Sequence, residues 1–407
     1  MKEMRELKDI ISQISGLEDR AMREARERQD YLAKVPGSLG KLEEISIRLA
    51  GITERPWKND VRNQAIILMC ADNGVVEEGV ASAPQTVTLM QTVNFTEGIT
   101  GVSSQAAYFG IDVLPIDIGV KLSIPPRLLA DTMLGEEDKI QKLVVNRRIS
   151  DGTKNFTKEP AMTREEAIRG IMIGIEAADA CKKAGKTLIG VGEMGIGNTT
   201  TASSIITVLA AVDSGLVTSA EDFEKEEVKE GLRDLIERIV GRGGGLSDEG
   251  IAKKRAVIEE AIGKYAGLFM TEEGLDAVEL LRAVGGFDIA GMTGAYLGAA
   301  INRLPVVIDG VISIVAALIA VAICPTVKDY LFTSHKSKEG GYMIASEILG
   351  IEPMYDLGMR LGEGSGCPIA FKIIEAAAAV MNGMKSLEEA QIDADYLDEF
   401  REDGQFR

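Results

Sequence analysis

One histidine, His335, and four cysteines occur in 407 residues. A lone histidine excludes any mechanism that needs two, including most histidine-based zinc sites. A Ser-His-Asp triad would have to use His335, and no G-x-S-x-G elbow accompanies it. The cysteines, Cys70, Cys181, Cys324 and Cys367, are far apart and form no C-x-x-C pair. Each lies in or beside an apolar run, the pattern of buried free thiols in a reducing cytosol rather than of disulfides or metal ligands. Positive charge is in deficit: 45 Lys and Arg stand against 63 Asp and Glu, a formal net charge of −18. That balance argues against nonspecific binding to nucleic acid or anionic membranes, while leaving room for a local cationic pocket. No apolar run is long enough to span a bilayer, which takes about 20 residues. The most apolar run, 311–324, reads as a buried helix. The N-terminus, MKEMRELKDII, is charged and amphipathic and lacks a secretory h-region. A cytoplasmic protein whose general base is a carboxylate is what these absences leave.

What is present is a globular composition, 45% hydrophobic and 27% charged, enough for one large core and a smaller satellite. Residues 1–55 read as helices, with Leu7, Ile10, Ile11 and Ile14 at helical spacing. Short unbroken apolar runs at 65–70, 112–120, 186–191 and 305–310 read as buried strands, and YLFTSH at 330–335 as another. Helical patterns at 97–109, 164–184, 199–211, 311–324 and 368–381 alternate with them. Strand–helix alternation with unbroken apolar strands predicts an α/β fold, a mostly parallel sheet covered on both faces. In such sheets ligands bind at the carboxyl ends of the strands. The stretch 219–240 reads as an amphipathic helix with Phe223, Leu232, Leu235 and Ile239 on one side. GRGGG at 241–245 follows as a flexible joint, and the polar tail from 397 reads as frayed.

Two glycine-rich loops stand out. GVGEMGIGNTT places Glu193 before one helix, and RLGEGSG places Glu363 before another. Glycine lets backbone approach a ligand, and a helix N-terminus offers free N–H groups to an anion. Asn198, Thr199 and Thr200 could cap the first helix or bind phosphate oxygens. The spacing is not that of a Walker loop. Gly190, Gly192 and Gly195 fit G-x-G-x-x-G, but the acidic residue that a dinucleotide site places about 20 positions on is missing. That absence disfavours an NAD-binding dehydrogenase. Glu363 at a helix N-terminus is expected to have a lowered pKa, because the dipole favours its charged form. Paired carboxylates suit acid–base chemistry on a sugar or a heterocycle. A silent, nucleotide-binding partner subunit is the alternative class, and the presence of both glutamates argues against it.

At these loops the chain resembles the nicotinate-nucleotide:dimethylbenzimidazole phosphoribosyltransferases. The similar segments are PGSLGKLE, ADNGVVEEGVASAPQTVTLMQ, GVGEMGIGNTT, VGGFDIAGMTGAYLGAA, PVVIDGVIS, SHKSKEGG and RLGEGSG, so the resemblance runs through nearly all of 30–392. It implies a Rossmann-like large domain over 61–382, with a helical insertion at about 215–245. It implies a small helical domain made from 1–60 and 383–407, and a homodimer that needs no cofactor or metal. The implied reaction moves phosphoribose from nicotinate mononucleotide to an aromatic base such as 5,6-dimethylbenzimidazole. The products are nicotinate and α-ribazole 5′-phosphate, the precursor of the cobamide lower ligand. By the same resemblance Glu363 is the general base, Glu193 a second active-site carboxylate, and Gln91 and Pro84 belong to the base pocket. Some members carry serine before that proline where this chain has Ala83, with Ser82 beside it. The stretch 215–240 is also longer than in typical members.

Further candidates complete the expected site. Asn198, Thr199, Ser313, Gly364 and Gly366 would hold the phosphate, with Arg360 and Lys254 as neutralising cations, and Gly195 would bind substrate. Met194 would line the base pocket, where a soft side chain accepts flat rings. Asp288 and Asp309 would bind ribose hydroxyls or cap turns, and His335 would be structural.

Overall fold

The computed structural model describes residues 2–242 and 245–393. Its strands are β1 (Gln64–Ala71), β2 (Asp112–Gly119), β3 (Leu129–Ala130), β4 (Val144–Asn146), β5 (Leu188–Met194), β6 (Met270–Thr271), β7 (Gly274–Leu275), β8 (Val306–Ile308) and β9 (Leu331–Thr333). Every residue of β1 and β5 is buried, as continuous apolar runs require of strands covered on both faces. Seven strands form one parallel sheet in the order β3-β4-β2-β1-β5-β8-β9. The chain builds outward from β1 through β2, then returns to lay β5 on the other side of β1. The order reverses there, so a crevice opens between the carboxyl ends of β1 and β5. The hairpin β6–β7 stands apart from this sheet.

The first helices are α1 (Lys2–Ile11), α2 (Asp19–Tyr31), α3 (Lys41–Thr53), α4 (Thr86–Glu97), α5 (Gly101–Phe109), α6 (Arg164–Lys183) and α7 (Asn198–Asp213). They are followed by α8 (Glu226–Ile239), α9 (Asp248–Phe269), α10 (Ala277–Val284), α11 (Phe287–Ile301), α12 (Val311–Ile323), α13 (Tyr342–Leu349) and α14 (Cys367–Gly383). Helix α6 starts at a Thr163–Glu166 capping box and carries Lys182 and Lys183 in its last turn, both favourable to the helix dipole. It packs on α11 backbone to backbone. A Cβ on Gly174 would overlap the Gly291 carbonyl oxygen, and one on Gly294 would overlap that of Ile171. This is why the α11 sequence is threaded with glycine. Helices α2, α3 and α14 enclose a small separate core of Ala21, Ala25, Ala50 and Met381. The chain beyond α14 returns to this layer, where Ala33 and Leu387 donate backbone hydrogen bonds to Lys385 and Tyr31.

Several expectations change. The helix expected over 97–109 begins later, as α5, after Thr100 caps Ser103, and α4, which was not expected, ends just before it at the left-handed cap Gly98. The strand expected over 186–191 runs on to Met194, so Glu193 lies on β5 and not in a loop. Its glycines serve packing. A side chain on Gly190 would strike Cys367 and Phe371, and one on Gly192 would strike the backbone of Gly364. The helix expected over 219–240 breaks at extended Lys225 into a 3-10 turn, Ala220–Glu224, and α8. Asp222 caps the start of that turn by accepting the backbone N–H of Thr218 and Ser219. Phe223, Leu232 and Ile239 are buried as expected, and Leu235 is half-buried. The short strands β3, at the sheet edge, and β4, beside it, were not expected. Of the joint 241–245, Gly243 and Gly244 lie outside the described residues, as does the tail from 394. No helix among the described residues is long and apolar enough to cross a membrane, and the four cysteines are free thiols.

Candidate active site

A cavity of about 540 Å³ opens where the carboxyl ends of β5 and β8 meet the segment 80–83 before α4. Glu193, Met194, Asn198 and Thr199 form one wall, and 310–313, at the start of α12, forms the floor beside it. Arg360, Gly362, Ser337 and Glu339 also line the cavity. The amino ends of α7 and α12 both open here, so backbone N–H groups and two dipole ends converge on one space.

Glu193 is buried in that wall. The Asn198 amide donates to Glu193 and, at 3.0 Å, to Asp288, so one side chain bridges two carboxylates. Loss of water raises the Glu193 pKa to about 8, and the Asp288 charge adds to the effect, followed by those of Asp309 and Glu363. Burial likewise lifts Asp288 to about 6, against the pull of Asn198. Glu193 therefore carries a proton at neutral pH and can donate a hydrogen bond.

Glu363 differs. Its backbone is left-handed, φ 61°, between Gly362 and Gly364 at 79° and 74°. A non-glycine residue there is disfavoured by about 1–2 kcal/mol. The Gln91 Nε2 donates to Glu363 Oε1 at 2.7 Å, and Asn94 donates to the Gln91 carbonyl, which fixes the amide's direction. Glu363 Oε2 is buried without a partner. The expected lowering of its pKa does not occur: burial raises it, the Gln91 hydrogen bond pulls it back, and Asp309 raises it further. The reason lies at the amino end of α14. The Asp309 carboxylate already accepts the N–H of Gly364 (3.0 Å) and Gly366 (2.7 Å).

Several groups of the expected phosphate set are already hydrogen-bonded within the protein. The amides of Gly364 and Gly366 are used inside the protein. The Ser313 hydroxyl donates to the Val191 carbonyl, accepts the Asp309 N–H, and meets the Tyr296 hydroxyl. Thr199 faces the cavity, and behind it Lys254, 1% exposed, donates to its Oγ1 at 2.9 Å. Burial lowers the Lys254 pKa to about 8, with Glu339 opposing. Gly195 and Arg360 line the cavity. Gln91, Pro84 and Glu363 are not among the residues that line it. His335 is fully buried, 3.2 Å from the Ser334 hydroxyl and 3.9 Å from Asp309. Arg242, read only as part of a joint, also lines the cavity and is held by Leu246 O and Asp248. A cation set among four glycines was the signal for it.

The sequence pattern of a family described as Phosphoribosyltransferase matches residues 14–230 and 231–392. A nicotinate-nucleotide–dimethylbenzimidazole phosphoribosyltransferase of Clostridium perfringens is 45% identical over 397 residues, 98% of each chain. This chain belongs to that family. A namesake from Alkaliphilus metalliredigens is 44% identical over 96% of this phosphoribosyltransferase and 99% of its own length. The crystal structure of CobT from Thermus thermophilus superposes with a TM-score of 0.76 at 33% identity. It covers 92% of this phosphoribosyltransferase and 99% of the Thermus chain.

Proposed function

We propose that the enzyme transfers phosphoribose from nicotinate mononucleotide to 5,6-dimethylbenzimidazole or a related base, with Glu363 as general base. The observation that carries the role of Glu363 is its partnerless, buried Oε2 on a carboxylate that Gln91 holds in place. The mononucleotide's phosphate suits the amino ends of α7 and α12, with Thr199–Lys254 and Arg360 at hand. Its ribose then faces Glu193. The bond from C1′ to the pyridinium nitrogen breaks, and its electron pair returns to that nitrogen, so nicotinate leaves without protonation. Positive charge passes to the ribose, where the negative charge of the Glu363 carboxylate stabilises it. One azole nitrogen attacks C1′ while Glu363 takes the proton from the other. Met194 and Leu361 supply an apolar edge for the base, and Ala83 widens the wall where some relatives have serine.

The same reading makes the enzyme a cytoplasmic homodimer. Met90, Ile99 and Tyr108, exposed by 62%, 68% and 84%, give α4 and α5 an apolar surface for a second copy. Light scattering at a single-chain mass would end that part of the reading. The reaction is tested by mixing the purified protein with nicotinate mononucleotide and dimethylbenzimidazole and following nicotinate by chromatography. Release that disappears in Glu363→Ala is the expected result. No release with any benzimidazole, phenol or purine would overturn the reading.

A further inference from the structure

We propose that Asp309 is a positioning residue for the transfer, a buried carboxylate that clamps the backbone on both sides of Ser365 and so fixes the left-handed conformation from which Glu363 meets its substrate. The inference rests on Glu363 being the base. Asp309 follows β8 and is 1% exposed. Its two side-chain oxygens are divided between two amides, Gly364 on Oδ2 and Gly366 on Oδ1. Gly364 directly follows Glu363, so the clamp acts one peptide away from the strained residue. A strained backbone persists only where its surroundings over-determine it, and here they do. The Tyr355 hydroxyl donates to the Gly366 carbonyl from the opposite side at 2.7 Å. The Asp309 backbone is anchored in turn: its N–H donates to Ser313 and its carbonyl accepts from Ser334. Gly366 has no alternative, because a Cβ there would overlap His335 Nδ1 and crowd Ser334 and Asp309.

The demand for a carboxylate is specific. Two N–H donors need two acceptor oxygens, and an asparagine offers one oxygen and one NH₂. Burial raises the Asp309 pKa, and His335 and the amides at the amino end of α14 oppose that rise. Asp309 in turn faces His335 beyond β9, Tyr296 of α11, Tyr342 of α13, and Tyr355 and Cys367 around α14. Glu363 faces Asp309, Gln91 of α4, the Gly101 amide of α5, and Glu193 of β5. The Asp309 charge is one of the influences that keep the Glu363 pKa up.

The test compares wild type, Asp309→Asn, Asp309→Glu and Glu363→Gln in nicotinate release, with kcat and KM measured across pH. A misplacement of about 1 Å costs on the order of 10²-fold in rate. Both Asp309 variants should therefore lose about 10²-fold in kcat per folded enzyme, with KM for nicotinate mononucleotide changed less than about threefold. In Asp309→Asn the acid limb of kcat/KM should also move to lower pH, because a negative neighbour of Glu363 is gone. In Asp309→Glu, which keeps the charge, the limb should stay. A merely structural Asp309 would lower the amount of folded enzyme and leave kcat per folded enzyme and the limb unchanged, and that result overturns the proposal. If neither variant folds, hydrogen exchange of the wild type decides: amides of 362–366 exchanging as fast as 356–361 would overturn the clamp, and strong protection supports it. An active Glu363→Gln would instead remove the base assignment, a failure distinguishable from that of Asp309.

Discussion

Glu193 and Glu363 look alike in sequence, each a glutamate among glycines before a helix, yet the fold treats them in opposite ways. Glu193 belongs to a central strand, and its place is set by its pairing with Met69 of β1. Glu363 sits on a loop whose geometry is imposed from outside by Gln91 and Asp309. Glu193 shares an amide with another acid and holds a proton to about pH 8. Glu363 is buried with one oxygen unpartnered and an amide favouring its anion. Burial raises the pKa of both, but Glu193 shares its amide with a second acid whereas Gln91 favours the Glu363 anion, and the difference comes from neighbours distant in the chain.

The comparison can be broken by exchanging each glutamate for its neutral isostere. Glu363→Gln should lower kcat by roughly 10²–10⁴-fold, the usual worth of a general base. Glu193→Gln mimics the protonated acid and should cost less than about tenfold at pH 7. Equal losses would mean that Glu193 works as an anion. Gly192→Ala comes next in size. Its Cβ would press on Gly364, destabilising the fold by about 1–3 kcal/mol, and chemical denaturation would register it. Gln91→Leu should be milder. It removes a hydrogen bond that favours the Glu363 anion, so the Glu363 pKa rises and the acid limb of kcat/KM moves up, by roughly one pH unit for about 1.5 kcal/mol. A limb that stays or moves down would separate Gln91 from the base.

Glu193 also bears on stability. The folded pKa of Glu193 lies above its ordinary value of 4.5, at about 8. Between those values the folded protein binds the extra proton, so the group's contribution is complete below pH 4.5 and is lost as pH rises through 8. Glu193→Gln should therefore melt with the wild type near pH 4 and above it at about pH 8.5. A variant that melts below wild type on the alkaline side would show that Glu193 is not held as an acid.

The sequence made the central sheet legible, because β1 and β5 are buried on both faces and read as unbroken apolar runs. It did not reveal β3 and β4, which span two and three residues and carry no periodicity. The helix pattern at 97–109 hid a break, since Gly98 acts as a left-handed cap and not as an interior residue. At the site, the glycines marked both glutamates and the resemblance assigned them roles. The direction of the Glu363 pKa was misread because a dipole argument sees only the local helix, whereas burial and Asp309 come from across the chain. Asp309 pairs with amides 55 and 57 residues away, a partnership that no local pattern encodes. Arg242 escaped for a similar reason, since its neighbours in sequence spoke only of flexibility.

The seam between α6 and α11 carries a consequence of another kind. Backbone meets backbone there, with Gly174 against Gly291 and Gly294 against Ile171. A complete map of tolerated substitutions would then have two forbidden zones, one around the glutamates and one along this seam. The second zone touches no substrate. Its glycines would be as immutable as the chemistry itself, because any side chain would wedge apart the two helices on which the sheet rests.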